Sequence, residues 1–332
     1  MVWLNDYLLF LCKVATFFIG LILVLLATKD KDSGEASPKL KLKHYNRQLK
    51  KTKLFLTEAM ADKAEKKAAK KQPVKKRRKN KQPRIFVLEF NGDVKANQAV
   101  QLASEITAIL NIANPKKDHV LIRLESPGGC VHGYGYAASQ LSRLKANKIP
   151  LTVAIDRVAA SGGYMMACIA DTIIAAPFAV VGSIGVVLQL PNVHRLLKRH
   201  AIDFELITAG DDKRNLTVFG HNTTAAREKA QDQINVTHQL FKDFVAQNRP
   251  SIDIDAVATG QFWHATNALQ LNLVDEISTS DAWLLDRLDS HQIYLLRSHR
   301  KKSLMQKIGL QMRSGLAHVV DKFLHHPSLP MS

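Results

Sequence analysis

Leu151-Thr152-Val153-Ala154-Ile155-Asp156-Arg157-Val158-Ala159-Ala160-Ser161-Gly162-Gly163-Tyr164 is the stretch on which the fold and chemistry of this chain turn. Its first five residues are mostly apolar, three of them β-branched, the composition of a buried strand. Small residues and paired glycines then break the pattern, and a helix is expected from about Ala160 to Ile169. A serine at such a junction, with small neighbours on both sides, exposes its hydroxyl without shielding. A helix N-terminus there favours a developing oxyanion. Taken alone, Ser161 is as readily an N-cap residue. The spacing is not G-x-S-x-G, so α/β-hydrolase logic does not transfer.

Working outward, the same alternation recurs on both sides. Strands are expected at Ile85–Phe90, His119–Glu125, Thr172–Ala176, Gly185–Leu190, Asp203–Thr208 and Leu273–Ile277. Helices are expected at Ala96–Ile112, Val131–Ala146, His194–His200 and, long and amphipathic, Thr223–Gln247. Strands alternating with helices imply an α/β class with a largely parallel sheet covered by helices. The 332 residues suffice for one sizeable domain of this kind plus extensions.

The N-terminus reads differently. Tyr7 to Ala27 is apolar except for Lys13, about the length of a bilayer-spanning helix, and Ala27-Thr28-Lys29-Asp30 offers no small-x-small cleavage site. Residues 1–28 are therefore expected as an uncleaved transmembrane anchor, with bilayer contact through 7–27. Residues 29–83 are expected as a basic, disordered linker, helical in part between Leu49 and Lys71. Lys29 to Arg84 holds 21 of the 47 Lys and Arg residues but only 6 of the 29 Asp and Glu. The net charge of +18 thus belongs mainly to one segment and argues against a nucleic-acid groove on the folded domain. Attraction to anionic lipid headgroups through 29–84 fits better. After Ser298 a basic tail carries Leu304, Ile308, Met312, Leu316, Val320 and Phe323 near helical spacing, so 291–332 is set apart as an amphipathic segment. Three cysteines make no disulfide framework, and neither CxxC nor HExxH occurs. No cofactor or metal is expected.

Two more glycine turns follow strands. Ser126-Pro127-Gly128-Gly129 comes directly after Glu125, where paired glycines let backbone amides face a carbonyl oxygen that becomes negative. On its own it is equally a tight strand-to-helix turn. Val181-Gly182-Ser183-Ile184-Gly185 offers Ser183 as a weaker nucleophile. A serine nucleophile needs a base. His132, His194 and His221 carry no local signature, and Lys213 lies in Gly210-Asp211-Asp212-Lys213-Arg214, after the strand expected to end at Thr208. A lysine ordinarily titrates near 10.4, and work as a base near neutral pH demands burial that brings it toward ~7–8. Read from the residues alone, a loop lysine is a solvated charge.

From Arg84 to about Ser290 the chain resembles the signal peptide peptidase A (SppA) family of serine peptidases, nearest the SohB-type bacterial inner-membrane proteins. The resemblance rests on Ser126-Pro127-Gly128-Gly129, Ala159-Ala160-Ser161-Gly162-Gly163-Tyr164-Met165-Met166-Ala167 and Val181-Gly182-Ser183-Ile184-Gly185-Val186. It extends to Lys213-Arg214, Ala258-Thr259-Gly260 and Leu273-Val274-Asp275. It implies a ClpP/crotonase-like fold over 84–290 and a Ser–Lys dyad of Ser161 as nucleophile and Lys213 as base. It also implies an oxyanion hole from the amides of Gly128, Gly129 and Gly162, with Ser183 in support. Ring-like homo-oligomers are implied as well, with Lys213 reaching Ser161 within one subunit or across an interface. Substrates would be membrane-associated polypeptides or signal-peptide remnants. The family places the protein in the bacterial inner membrane, single-pass, with a periplasmic catalytic domain, whereas the lysines after the anchor favour the cytosolic side. One position departs from the family pattern: Asp212 stands where an aromatic residue is expected, and a neighbouring carboxylate favours a protonated lysine. Two rival readings follow, a crotonase-like acyl-CoA enzyme and a catalytically inert scaffold of the same fold.

Overall fold

The computed structural model describes residues 7, 9–14, 16–17, 39–60, 82–210, 213 and 216–299. The chain divides into two units, Met1–Lys39 with His299–Ser332, and Leu40–Ser298. In the first, residues 7, 9–14 and 16–17 are helical and mostly exposed. Among the described residues no helix is long and apolar enough to cross a membrane. Most of the anchor expected at 7–27, and the tail stripe from Leu304 to Phe323, lie outside the described residues.

The second unit is built on a seven-stranded sheet. Its strands are β1 (Lys39–His44), β2 (Arg84–Asn91), β3 (His119–Glu125), β4 (Leu151–Ile155), β6 (Thr172–Ala175), β9 (Glu276–Ile277) and β10 (Gln292–His299), ordered β1-β10-β2-β3-β4-β6-β9. From β10 through β9 every pairing is parallel. A smaller sheet holds β5 (Val158–Ala160), β7 (Val180–Gly182) and β8 (Phe262–His264), with β5 parallel and β8 antiparallel to β7.

Burial on both faces explains the continuous apolar strands. Phe86, Leu88, Phe90, Ile122, Leu124, Val153 and Ile155 point one way, against α2 (Ala99–Leu110) and α3 (Val131–Ala146). Ile85, Val87, Leu121, Ala154, Ile174 and Ile293 point the other way, against Trp283 and Leu284 of α9 (Ser280–Leu285). In chain order α4 (Gly162–Ala167), α5 (His194–Arg199), α6 (Thr224–Asn248), α7 (Ile254–Val257) and α8 (Ala265–Gln270) come between α3 and α9.

Several expectations are corrected. The segment 29–83 is not uniformly a linker: residues 39–60 form β1 and α1 (Tyr45–Met60). Tyr45 packs on the second core cluster, and the Asn46 amide donates to the carbonyls of Leu288 and His291. The domain also runs past residue 290, because β10 inserts between β1 and β2. Gly185–Leu190 and Asp203–Thr208 are not strands. Their apolar residues are exposed, Val187 by 78% and Ile207 by 93%, so apolar runs there do not reflect burial within the subunit.

Candidate active site

Two strands and two turns bring the site together. β5 pairs with β7 so that Ala160 lies opposite Gly182, and the Ser161 N–H donates to the Gly182 carbonyl at 2.8 Å. Ser161 therefore leaves the small sheet beside Ser183. It sits at φ 51°, ψ −119°, a backbone region that strongly disfavours side chains. It precedes α4, yet its side chain makes no capping bond to that helix. The N-cap reading is therefore not what the hydroxyl does. Helix α4 has only six residues against the ten expected, so the dipole argument weakens with it.

The Ser126–Gly129 turn lies across the junction. Ser126 forms a bridge with Ala159: its N–H donates to Val158 at 2.8 Å, and its carbonyl accepts from Ala160 at 3.0 Å. Gly128 has φ +94°, and a Cβ there would come within 2.7 Å of the Ser161 Cβ. Glycine is thus required both by the turn and by the approach of the two segments. The Gly128 N–H is engaged, donating to Ser126 Oγ at 3.1 Å. The amides of Gly129 and Gly162 make no hydrogen bond among the described residues. A Cβ on Gly162 would run into the Tyr134 ring.

Beside Ser161 opens a cavity of about 250 Å³. Val131 and Ala138 of α3, Met165 of α4, Val187, and Thr237, Leu240, Phe241 and Phe244 of α6 line it. Apart from Met165, none of these residues lies in a motif that marks the site in the sequence. Their signal is the 237, 240, 241, 244 spacing, one stripe of a helix, but nothing in the sequence points that stripe at Ser161.

The remaining expected residues divide. Ser183 is half-buried at φ 51°, and its N–H donates to Gln261 at 2.7 Å. Its side chain makes no hydrogen bond among the described residues. Lys213 is exposed, its N–H donating to the Gly210 carbonyl at 3.2 Å. Within the chain it neither bonds Ser161 nor lines the cavity. Asp212, the departure from the family pattern, lies outside the described residues. The two other motifs of the resemblance have structural work. Gly260 N–H donates to Ile184, which with the Ser183–Gln261 bond holds the β7 exit. Asp275 takes both Arg249 guanidinium nitrogens, at 2.7 and 2.8 Å, and the Tyr164 hydroxyl donates to Leu273 at 2.9 Å.

A serine set in strained backbone beside unengaged amides and an apolar cavity suits a serine-type peptidase on an α/β scaffold. Residues 143–292 match the model described as Peptidase family S49, and residues 2–141 match Peptidase family S49 N-terminal. A Haemophilus influenzae protein named Probable protease SohB is 54% identical over 239 residues, 72% of this chain and 67% of its own length. A protein of the same name from Buchnera aphidicola subsp. Acyrthosiphon pisum is 50% identical over 248 residues, 75% of this chain and 74% of its own. The chain belongs to the peptidase S49 family, on its SohB-type branch, and is a peptide hydrolase. That membership sets the acyl-CoA alternative aside. Among solved structures, a 1510-N membrane-bound stomatin-specific protease K138A mutant in complex with a substrate peptide is similar. Its TM-score is 0.45 at 13% identity, over 69% of this chain and 98% of that one.

Proposed function

We propose that the chain is a membrane-anchored endopeptidase in which Ser161 is the nucleophile and Lys213 the general base. The observation that carries this reading is the setting of Ser161: strained, uncapped, next to two unengaged amides and open to an apolar cavity. Neutral Lys213 takes the Ser161 proton as Oγ attacks a peptide carbonyl. The Gly129 and Gly162 amides receive the oxyanion, and Gly128 shapes the turn that presents them. Protonated Lys213 then gives its proton to the leaving amine. Water hydrolyses the acyl-enzyme with the same lysine as base. Ser183, one residue beyond the partner of Ala160, supports the lysine. An apolar substrate side chain enters the cavity beside Ser161, which fits membrane-associated polypeptides and signal-peptide remnants.

The same reading gives the protein an inner-membrane location, single-pass through 7–27, with a periplasmic catalytic domain. Basic residues of 29–84 face anionic headgroups. Because Lys213 is exposed within the chain, its approach to Ser161 is assigned to a homo-oligomer, in which a neighbouring copy covers Lys213 and the exposed Val187 and Ile207. The exposed lysine also favours a second reading, an inert scaffold.

The test uses the full chain in mild detergent with an unfolded protein and an apolar signal-like peptide. Ser161→Ala and Lys213→Ala should each be folded and silent. Mixing the two variants should restore part of the turnover if the dyad forms between subunits. A wild-type protein that cleaves neither substrate would favour the scaffold.

A further inference from the structure

Between the oxyanion turn and α3 lies a chain of hydroxyls that the mechanism above does not use. The Tyr134 hydroxyl bonds the Asp93 carbonyl at 2.9 Å and Ser126 Oγ at 2.5 Å, and Ser126 Oγ in turn meets the Gly128 N–H at 3.1 Å. Its polarity follows from chemistry. A carbonyl only accepts, so the Tyr134 proton points to Asp93; Tyr134 then accepts from Ser126, and Ser126 accepts from Gly128. Every donor in the series has one direction. Both side chains are buried, Ser126 and Tyr134 each at 0% exposure. Gly92 leaves the room, since a Cβ there would collide with both hydroxyls.

We propose that Ser126 and Tyr134 are positioning residues that hold the oxyanion turn in register with the nucleophile, through a one-way relay running Gly128 N–H, Ser126 O–H, Tyr134 O–H and Asp93 carbonyl. Ser126 joins the two halves of the site. Its backbone stitches to Val158 and Ala160, immediately before Ser161, while its hydroxyl fixes the amide immediately before Gly129. Tyr134 anchors the far end, and its ring packs where a Gly162 Cβ would stand. Burial, the larger influence, holds its phenol above the usual value, with the Ser126 bond offsetting part of that; the hydroxyl stays a donor at any working pH. Chains of this sort polarise one another in a dry interior, so a break at one link is felt along it. A fixed turn matters to catalysis because oxyanion donors act only if they need no reorganisation at the moment of reaction.

The inference rests on the proposed role of Ser161, and the experiment separates the two. Ser126→Ala, Tyr134→Phe, the double variant and Ser161→Ala are compared on an apolar fluorogenic peptide, with a peptide aldehyde as inhibitor. Thermal melts run alongside. Ser126→Ala should lower kcat about 10- to 100-fold, short of the ~10²–10³ typical of deleting a donor itself, with KM within about threefold. Tyr134→Phe, which keeps the ring over Gly162, should lower kcat by several-fold and serves if Ser126→Ala folds poorly. The double variant should match Ser126→Ala, because Tyr134 acts through Ser126. Aldehyde affinity, which depends on a tetrahedral adduct, should weaken in step with kcat. Ser161→Ala silent with both relay variants at wild-type kcat would overturn the relay alone. So would losses of kcat and melting temperature together with unchanged aldehyde affinity. Turnover retained in Ser161→Ala would overturn the reading of the site and the relay with it.

Discussion

Ser161 carries a cost that its neighbours do not. At φ 51°, ψ −119° a side chain is held in a region that glycine alone occupies freely, a strain of about 1–3 kcal/mol. The surrounding bonds hold it there: Ser161 N–H to Gly182, Met165 N–H to the Ser161 carbonyl, and Ala160 N–H to Ser126. Strain of this kind at the proposed nucleophile is an exchange of stability for function. Ser161→Gly should therefore abolish turnover while raising the unfolding free energy by about 1 kcal/mol, seen as a higher midpoint in urea at unchanged slope. A fall in the midpoint would mean that the side chain contributes packing greater than its strain. Ser183 shares the same φ, but its N–H reaches Gln261 and its neighbour Ile184 is buried, so its conformation also serves the exit of β7.

At the scale of elements, two buried polar contacts tie late segments of the chain to the sheet. Glu105 on α2 is 3% exposed and accepts the Ser298 N–H of β10 at 2.5 Å. Burial is the main cause that lifts its carboxyl to about 7, aided by Glu89 and opposed by Ser298 and Arg297. The folded state thus holds a proton that the unfolded chain, near 4.5, has released. Stability falls as pH rises through that window, by at most on the order of 3–4 kcal/mol. Glu105→Gln should remove this slope in thermal melts between pH 5 and pH 8, and stabilise the protein at the upper end. A slope unchanged in the variant would place the titration elsewhere. Arg249 at the end of α6 forms the other contact, with Asp275 beside β9. Its guanidinium is 8% exposed, so Asp275→Ala leaves a buried charge without its partner and should cost roughly 3 kcal/mol by urea unfolding. Because α6 lines the cavity beside Ser161, that variant should also raise KM for an apolar peptide.

What the whole molecule shows is where periodicity speaks and where it stops. Strands β2, β3 and β4 are buried on both faces, and their mainly apolar runs announce them; α3 and α6 announce themselves by helical spacing. The junction of the proposed nucleophile shows in the sequence as a serine with paired glycines directly after a strand, although an N-cap serine would leave the same trace. β5, β7 and β8 are three residues each, too short for any period, and β10 lies where a basic tail begins. The Ser126–Tyr134 pair is invisible in sequence because eight positions separate two hydroxyls that only the α3 turn brings together. Misread strands at 185–190 and 203–208 are the informative failures. Their apolar residues are those of a buried element, yet Val187, Leu206 and Ile207 face solvent in the single chain. Apolar surface of this extent is the mark of an interaction site, and the proposed homo-oligomer would cover it. The segment that exposes it also carries Lys213, the one proposed dyad member that does not meet Ser161. Ile207→Asp, alone and with Leu206→Asp, tests both matters at once. The wild-type protein should scatter light as a multiple of the chain mass in mild detergent, and the variants should dissociate and lose turnover together, since a chain that sheds its neighbour sheds the cover of its lysine. A wild type that is monomeric and fully active would break that link and overturn the assignment of Lys213 to a neighbouring copy.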